Sequence, residues 1–322
     1  MALRGDGTRP MQLVDRLLAG EVRALARAIS LVEEHADRAV AILQAIYPRT
    51  GRAAVLGVTG APGSGKSSLV DRLVGVYRDG GHRVGVVAVD PSSAFSGGAI
   101  LGDRVRMQSH ATDPDVFIRS MATRGNLGGL ARATNDAIDL LDAAGYDPIL
   151  VETVGVGQDE VDIVKTADAV AVVLVPGMGD DIQAIKAGIL EIADLFVINK
   201  ADRDGVERLQ ADLDYVLSLS STQDRPRPTV HRTVAVRNEG IAELKRGIGD
   251  FLESTGERRR GERRRERAEA RFLALLEEEL VGRVRKEVFS GESYRSLVER
   301  IADRRVDPYT AVTEIVERLE VR

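Results

Sequence analysis

Seven short apolar runs punctuate the middle of the chain, at residues 55–59, 84–89, 116–119, 149–152, 169–175, 195–199 and 229–235. Most are continuous rather than alternating, the pattern of strands buried on both faces. Stretches of helical period separate most of them, so the pattern predicts an α/β domain with a mainly parallel sheet and helices on both faces. Functional loops then belong at the carboxyl ends of the strands. Ahead of this region Val22, Leu25, Ile29 and Val32, then Ile42, Leu43 and Ile46, recur at helical spacing, and Pro48 closes the segment. The expected organisation is a helical region over 1–50, an α/β domain over 51–254 and a helical extension over 255–322.

The extension opens with an arginine-dense run, ERRRGERRRER at 257–267. Interleaved Glu makes it a solvated helix face with i,i+4 ion pairs rather than a nucleic-acid patch. Leu273, Leu276, Leu280, Val284 and Val288 then form an apolar helical stripe, and two further helices are expected over 294–303 and 308–319. Such a tail either packs on its own domain or pairs with a second copy.

Bulk properties narrow the classes. Among 322 residues 43% are hydrophobic and 30% charged, with a formal net charge of −5, which argues against a general nucleic-acid or anionic-membrane binder. Aromatic content of 4% without Trp disfavours a base-stacking platform. With no Cys, disulfides, thiol nucleophiles and thiolate metal sites are excluded. No apolar run is long enough to span a bilayer, and the first twenty residues lack a secretory apolar core, so a cytoplasmic location is expected.

Gly60-Ala61-Pro62-Gly63-Ser64-Gly65-Lys66-Ser67 fits the phosphate-loop pattern G-x-x-x-x-G-K-[ST]. It lies between the apolar run ending at Val58 and an amphipathic helix opening at Ser68-Leu69-Val70. Glycines let the backbone wrap a polyphosphate with N–H groups turned inward, and the helix N-terminus adds its dipole. Residues 60–68 are the expected phosphate-binding set. Lys66 is placed to reach the β- and γ-phosphates, and the Ser67 hydroxyl to ligate Mg²⁺.

Asn199-Lys200-Ala201-Asp202 follows the run at 195–198 and matches N-K-x-D, the guanine-reading motif of GTPases. A carboxylate accepts bonds from the guanine ring N–H and exocyclic amine, which adenine does not offer. A buried carboxylate left unpaired is costly, so selectivity for GTP and GDP follows. Asn199 would brace the loop and the Lys200 stem would lie along the base. Val234-Ala235-Val236 is the second base loop, with the Ala235 N–H meeting the guanine carbonyl. GTPases usually carry Ser-Ala here followed by Gly, where this chain has Val234 and Asn238.

Three carboxylates are candidates for Mg²⁺ and the nucleotide switches. Glu152 precedes Thr153-Val154-Gly155 with the spacing of the D-x-x-G switch, Glu standing for Asp, and the Gly155 N–H is placed to touch the γ-phosphate. Asp90 ends the run at 84–89, and Asp103 sits in a glycine-rich loop. Both also suit helix capping. Lys66, Asp103 and Glu152 are the expected catalytic residues. Gln158 is a weaker candidate for orienting water, since its spacing differs from the usual switch glutamine. The four histidines are scattered and form no ligand pair.

Taken with Asp90-Pro91-Ser92-Ser93, Gly97-Gly98-Ala99-Ile100-Leu101-Gly102-Asp103-Arg104, Glu152-Thr153-Val154-Gly155-Val156-Gly157-Gln158 and Gly179-Asp180-Asp181-Ile182-Gln183-Ala184-Ile185-Lys186, the chain resembles the MeaB, ArgK and MMAA family of GTPases, over roughly residues 10–320. The resemblance implies a P-loop G domain flanked by N-terminal helices and a C-terminal helical dimerisation arm. It implies slow GTP hydrolysis, stimulated by an adenosylcobalamin-dependent acyl-CoA mutase, methylmalonyl-CoA mutase by default, whose cofactor loading is gated and which is protected from inactivation. It also implies a homodimer, Asp90, Asp103 and Glu152 as metal and switch carboxylates, and residues 177–186 as a further switch. Segment 93–96 departs from the family's usual polar or basic residues. A nickel-enzyme metallochaperone is the first alternative, though it would carry Cys or clustered His. A partitioning ATPase is the second, though it would carry an early lysine where this chain has Ala61.

Overall fold

The computed structural model describes residues 10–34, 36–90, 108–110, 112–122, 129–153, 166–177, 192–219, 227–288 and 292–320. The chain divides into two compact units, residues 1–264 and 265–322.

The first unit is built on seven parallel strands: β1 (Val55–Gly60), β2 (Val84–Asp90), β3 (Val116–Ala122), β4 (Ile149–Thr153), β5 (Ala169–Leu174), β6 (Leu195–Asn199) and β7 (Thr229–Thr233). Their order across the sheet is β3-β2-β4-β1-β5-β6-β7. Strands β1, β4, β5 and β6 are buried at every position, which is why they read as unbroken apolar runs. Register aligns Val58 with Glu152 and Asn199 with Thr233, so the carboxyl ends bearing the candidate residues form one rim.

Alternate side chains feed two cores. On one face Leu56 and Val58 of β1, Leu150 and Val173 pack against α4 (Lys66–Asp79) and the later helix Ile241–Ser254. On the other, Val151, Val172 and Ile198 share a core with α1 (Pro10–Leu18), α2 (Val22–Glu33), α3 (Asp37–Ile46), α5 (Gly129–Ala143) and α6 (Val206–Leu219). Leu25, Ile29, Val32, Ile42 and Ile46 are buried as their spacing predicts, whereas Val22 is exposed and Leu43 half-buried. Helix Ile241–Ser254 is α7. The long helix α8 (Gly256–Val288) then runs across the division between the units, followed by α9 (Glu292–Ala302) and α10 (Pro308–Glu320). Among the described residues no helix is long and apolar enough to cross a membrane.

Two expectations from the sequence need adjusting. The strand expected over 229–235 stops at Thr233. Val234 pairs antiparallel with Glu239, and Ala235–Arg237 form a 3₁₀ turn closed by Asn238 in the left-handed region (φ 58°), a conformation Asn tolerates. The arginine run is also not wholly a solvated face. Arg263 donates to the Asp168 carbonyl and to Asp194 Oδ1, both at 2.8 Å, and Arg264 donates to the Gly51 carbonyl.

Candidate nucleotide site

The loop between β1 and α4 takes its shape from glycines. Gly60, Gly63 and Gly65 all have positive φ, a region L side chains rarely enter. Space adds a second requirement: a Cβ at Gly60 would sit 2.2 Å from the Val173 carbonyl oxygen, and one at Gly65 would sit 2.4 Å from Asn199 Nδ2. Gly65 caps α4, and Lys66 is its first helical residue. The Leu69 N–H reaches back to the Gly65 carbonyl, so residues 66–68 form the helix start, whose N–H groups and dipole suit an anion. The Lys66 ammonium is buried and held at 2.7 Å from the Gly60 carbonyl and 3.0 Å from that of Ala61.

Beside it, Ser67 donates its hydroxyl to Glu152 Oε1 at 2.6 Å. Glu152 is buried at the end of β4, one strand over from β1. A hydroxyl and a carboxylate in contact are hard oxygen donors of the kind Mg²⁺ takes one or two at a time alongside substrate phosphates. Among the described residues there is no group of three or more His, Cys, Asp or Glu able to cage a metal. Thr153, next in β4, donates to the Thr59 hydroxyl at 2.9 Å, tying the ends of β4 and β1 together beneath the loop.

At the end of β6 the Asn199 side chain joins three segments. Its amide donates to the Ser64 carbonyl at 2.8 Å, and its oxygen accepts from Thr233 Oγ1 and from the Ala235 N–H, each at 3.2 Å. Lys200, left-handed at φ 56°, donates to the Gly63 carbonyl at 2.7 Å. Arg72 of α4 donates to the Ala235 carbonyl. Phosphate loop, N-K-x-D segment and base loop are therefore one bonded unit. Asp202 lies in this unit, paired with Arg237 at 2.9 Å, and Val236 is exposed beside it. Arg72 and Arg237 carried no sequence signal, because nothing in spacing announces a contact across 163 or 35 residues.

The structure thus brings together residues 60–68, Glu152, Asn199, Lys200, Asp202 and residues 234–236. Asp103, Gly155, Gln158 and residues 179–186 lie outside the described residues. Asp90 ends β2 on the same rim, but its side chain lies outside them too.

A parallel sheet with a strand–glycine loop–helix unit at its centre and an N-K-x-D loop two strands away defines a P-loop nucleotide-binding protein of the GTPase type. Comparison with known proteins narrows this. Residues 25–288 match the family described as methylmalonyl Co-A mutase-associated GTPase MeaB. A protein of Pyrococcus abyssi named as a GTPase is 51% identical over 314 residues, 96% of each chain. GTPase ArgK of Escherichia coli is 34% identical over 321 residues, again 96% of each. A crystal structure titled LAO/AO transport system kinase superimposes with a TM-score of 0.71 at 29% identity, covering 99% of this chain and 100% of that one. The chain belongs to the MeaB family and is a GTPase.

Proposed function

We propose that this GTPase serves, as a cytoplasmic homodimer, an adenosylcobalamin-dependent acyl-CoA mutase, with methylmalonyl-CoA mutase the first candidate, gating its cofactor loading and protecting it. The family's description supports the mutase association. The observation that carries the guanine-nucleotide reading is the Asn199 side chain, which bonds the Ser64 carbonyl and the Ala235 N–H at once and so holds phosphate and base loops at a fixed spacing.

In this reading GTP lies with its phosphates on the amides of residues 60–68 and its guanine between Asp202 and the Ala235 N–H, with the Lys200 stem along the base. Phosphoryl transfer is mostly positioning plus charge stabilisation. Lys66 supplies a positive charge at the β- and γ-phosphates, and the helix start adds oriented N–H donors. Ser67 and Glu152, with Asp90 and Asp103 contributed from β2 and the following loop, would hold Mg²⁺. When bound, the ion would supply charge neutralisation to the phosphates. Gly155 follows Glu152 closely enough in sequence for its N–H to meet the γ-phosphate. Hydrolysis stays slow until the mutase orders the groups that place the attacking water, which couples nucleotide state to partner affinity.

Lys66→Ala tests the site directly. GTP affinity measured by calorimetry with Mg²⁺ should fall by about a hundredfold or more, since charge-assisted bonds to the phosphates are lost, while the thermal melt stays cooperative. Unchanged affinity would remove the phosphate-loop assignment. For the partner, the chain should retain purified methylmalonyl-CoA mutase in a nucleotide-dependent manner, and the mutase should raise its GTPase rate. Failure of both leaves the GTPase without this role.

A further inference from the structure

We propose that Arg237 is the residue that positions the guanine-reading carboxylate, making the base loop a determinant of nucleotide specificity through a side chain as well as through its backbone. The proposal rests on the guanine reading of Asp202.

The backbone at Asp202 is well fixed. Lys200 turns the chain in the left-handed region, the Ala201 N–H donates to the Thr233 carbonyl at 3.0 Å, and the Arg203 N–H closes the turn on the Lys200 carbonyl at 3.0 Å. The side chain is another matter. Asp202 has two free torsions, and its side chain is 31% exposed. To accept from the ring N–H and the exocyclic amine together, its carboxylate plane must match the edge of the base. Some donor has to set that plane.

Val234, where GTPases usually carry serine, has no polar group to offer. The donor in this chain is Arg237, whose Nη2 lies 2.9 Å from Asp202 Oδ2. The backbone that carries Arg237 is fixed, while its side chain is 57% exposed. Its N–H bonds the Val234 carbonyl at 2.9 Å, the Asn238 N–H bonds that of Ala235 at 3.2 Å, and Val234 and Glu239 exchange both of their backbone bonds. The turn that presents the guanidinium is the one that presents the Ala235 N–H to Asn199. Carboxylate and amide donor are thereby set relative to one another from a single turn. An ionised carboxylate has about four acceptor positions, so the bond from Arg237 to Oδ2 leaves at least one on each oxygen for the base. Once a base covers Asp202, the adjacent guanidinium also keeps that carboxylate from becoming a buried charge without a counter-ion.

The test compares GDP with IDP, whose hypoxanthine lacks the exocyclic amine and so gives the carboxylate one bond instead of two. Calorimetry on the full chain should show Arg237→Ala weakening GDP about two- to fivefold, the range expected of a partly exposed ion pair. IDP should weaken less, so the GDP-to-IDP affinity ratio falls. Arg237→Lys, which keeps a cationic donor, should recover part of the ratio. In an Asp202→Ala background Arg237→Ala should change neither affinity. Equal weakening of both nucleotides, an unchanged GDP affinity, or an effect that persists without Asp202 would overturn the positioning role. A GDP-to-IDP ratio left intact by Asp202→Ala alone would instead overturn the guanine reading beneath it.

Discussion

Gly60 is a position where one methyl group decides whether the loop can exist. Its φ of +140° is closed to L side chains, and an added Cβ would lie 2.2 Å from a backbone carbonyl of the neighbouring strand. Backbone cannot yield as a side-chain tip can. Gly60→Ala should therefore cost about 3 kcal/mol or more, through strain and overlap together. Gly177 offers the contrast: its φ is +87°, but nothing lies within 4 Å of the added carbon. Gly177→Ala should cost only about 1 kcal/mol, the conformational part alone. Urea midpoints for the two variants check this; equal losses would show that packing against Val173 contributes nothing. The pattern of glycines and Lys66-Ser67 was readable from the chain because each residue type there answers a local backbone or phosphate requirement. Arg237 was not readable, because its partner is set by where two strand ends come to rest.

Among elements, the base of α8 shows a similar division. Asp194 is buried ahead of β6, and its carboxylate accepts the Val170 N–H at 3.0 Å and the Arg263 guanidinium at 2.8 Å. Arg263→Ala takes one ion-pair partner from that buried carboxylate. Because the arginine is itself partly exposed, the expected loss is about 1–2 kcal/mol. Arg265→Ala, at an exposed position two residues on, should fall within about 0.5 kcal/mol of the parent. The sequence shows only that Arg and Glu alternate there, and local ion pairing is the natural reading. Which arginine leaves the helix face depends on Asp194, which lies 69 residues away. By contrast, β1, β4, β5 and β6 were readable almost to the residue because burial on both faces forces unbroken apolar runs. Strand β7 was overextended because Val234-Ala235-Val236 is as apolar as a strand, while the turn is imposed by Asn238 and by the Val234–Glu239 pairing.

Strand β7 also carries a pH dependence. Burial pushes the His231 pKa below its ordinary 6.5, with the Asp250 carboxylate opposing the shift. The folded state thus favours the neutral ring more than the unfolded chain does. The associated stability is present above the ordinary histidine value and is lost as pH falls through the lowered one. His231→Gln should flatten the decline of Tm between about pH 7 and pH 5. An identical slope in the variant would show that another group sets it.

The apolar face of α8 in the second unit bears on the assembly of the whole molecule. Phe272, Leu273, Leu276 and Leu280 fall on one side of the helix and are each about half exposed. A run of large apolar groups in water marks an interaction surface, and burying the exposed half of each would stabilise by about 1 kcal/mol. Light scattering should give twice the chain mass for the parent protein and the single-chain mass for Leu276→Lys with Leu280→Lys, with nucleotide affinity unchanged. A monomeric parent would sink the homodimer.

The central place of β1 has a consequence for synthesis. Its two neighbours, β4 and β5, begin at Ile149 and Ala169, roughly a hundred residues behind it on the ribosome, and sequence-distant pairing is slow to form. Until translation has passed Thr153 this largely apolar strand has both edges unpaired, and until it has passed Leu174 one edge is still open. A pause or nonsense codon in that interval leaves a nascent chain in which the strand that carries the phosphate loop has an open edge.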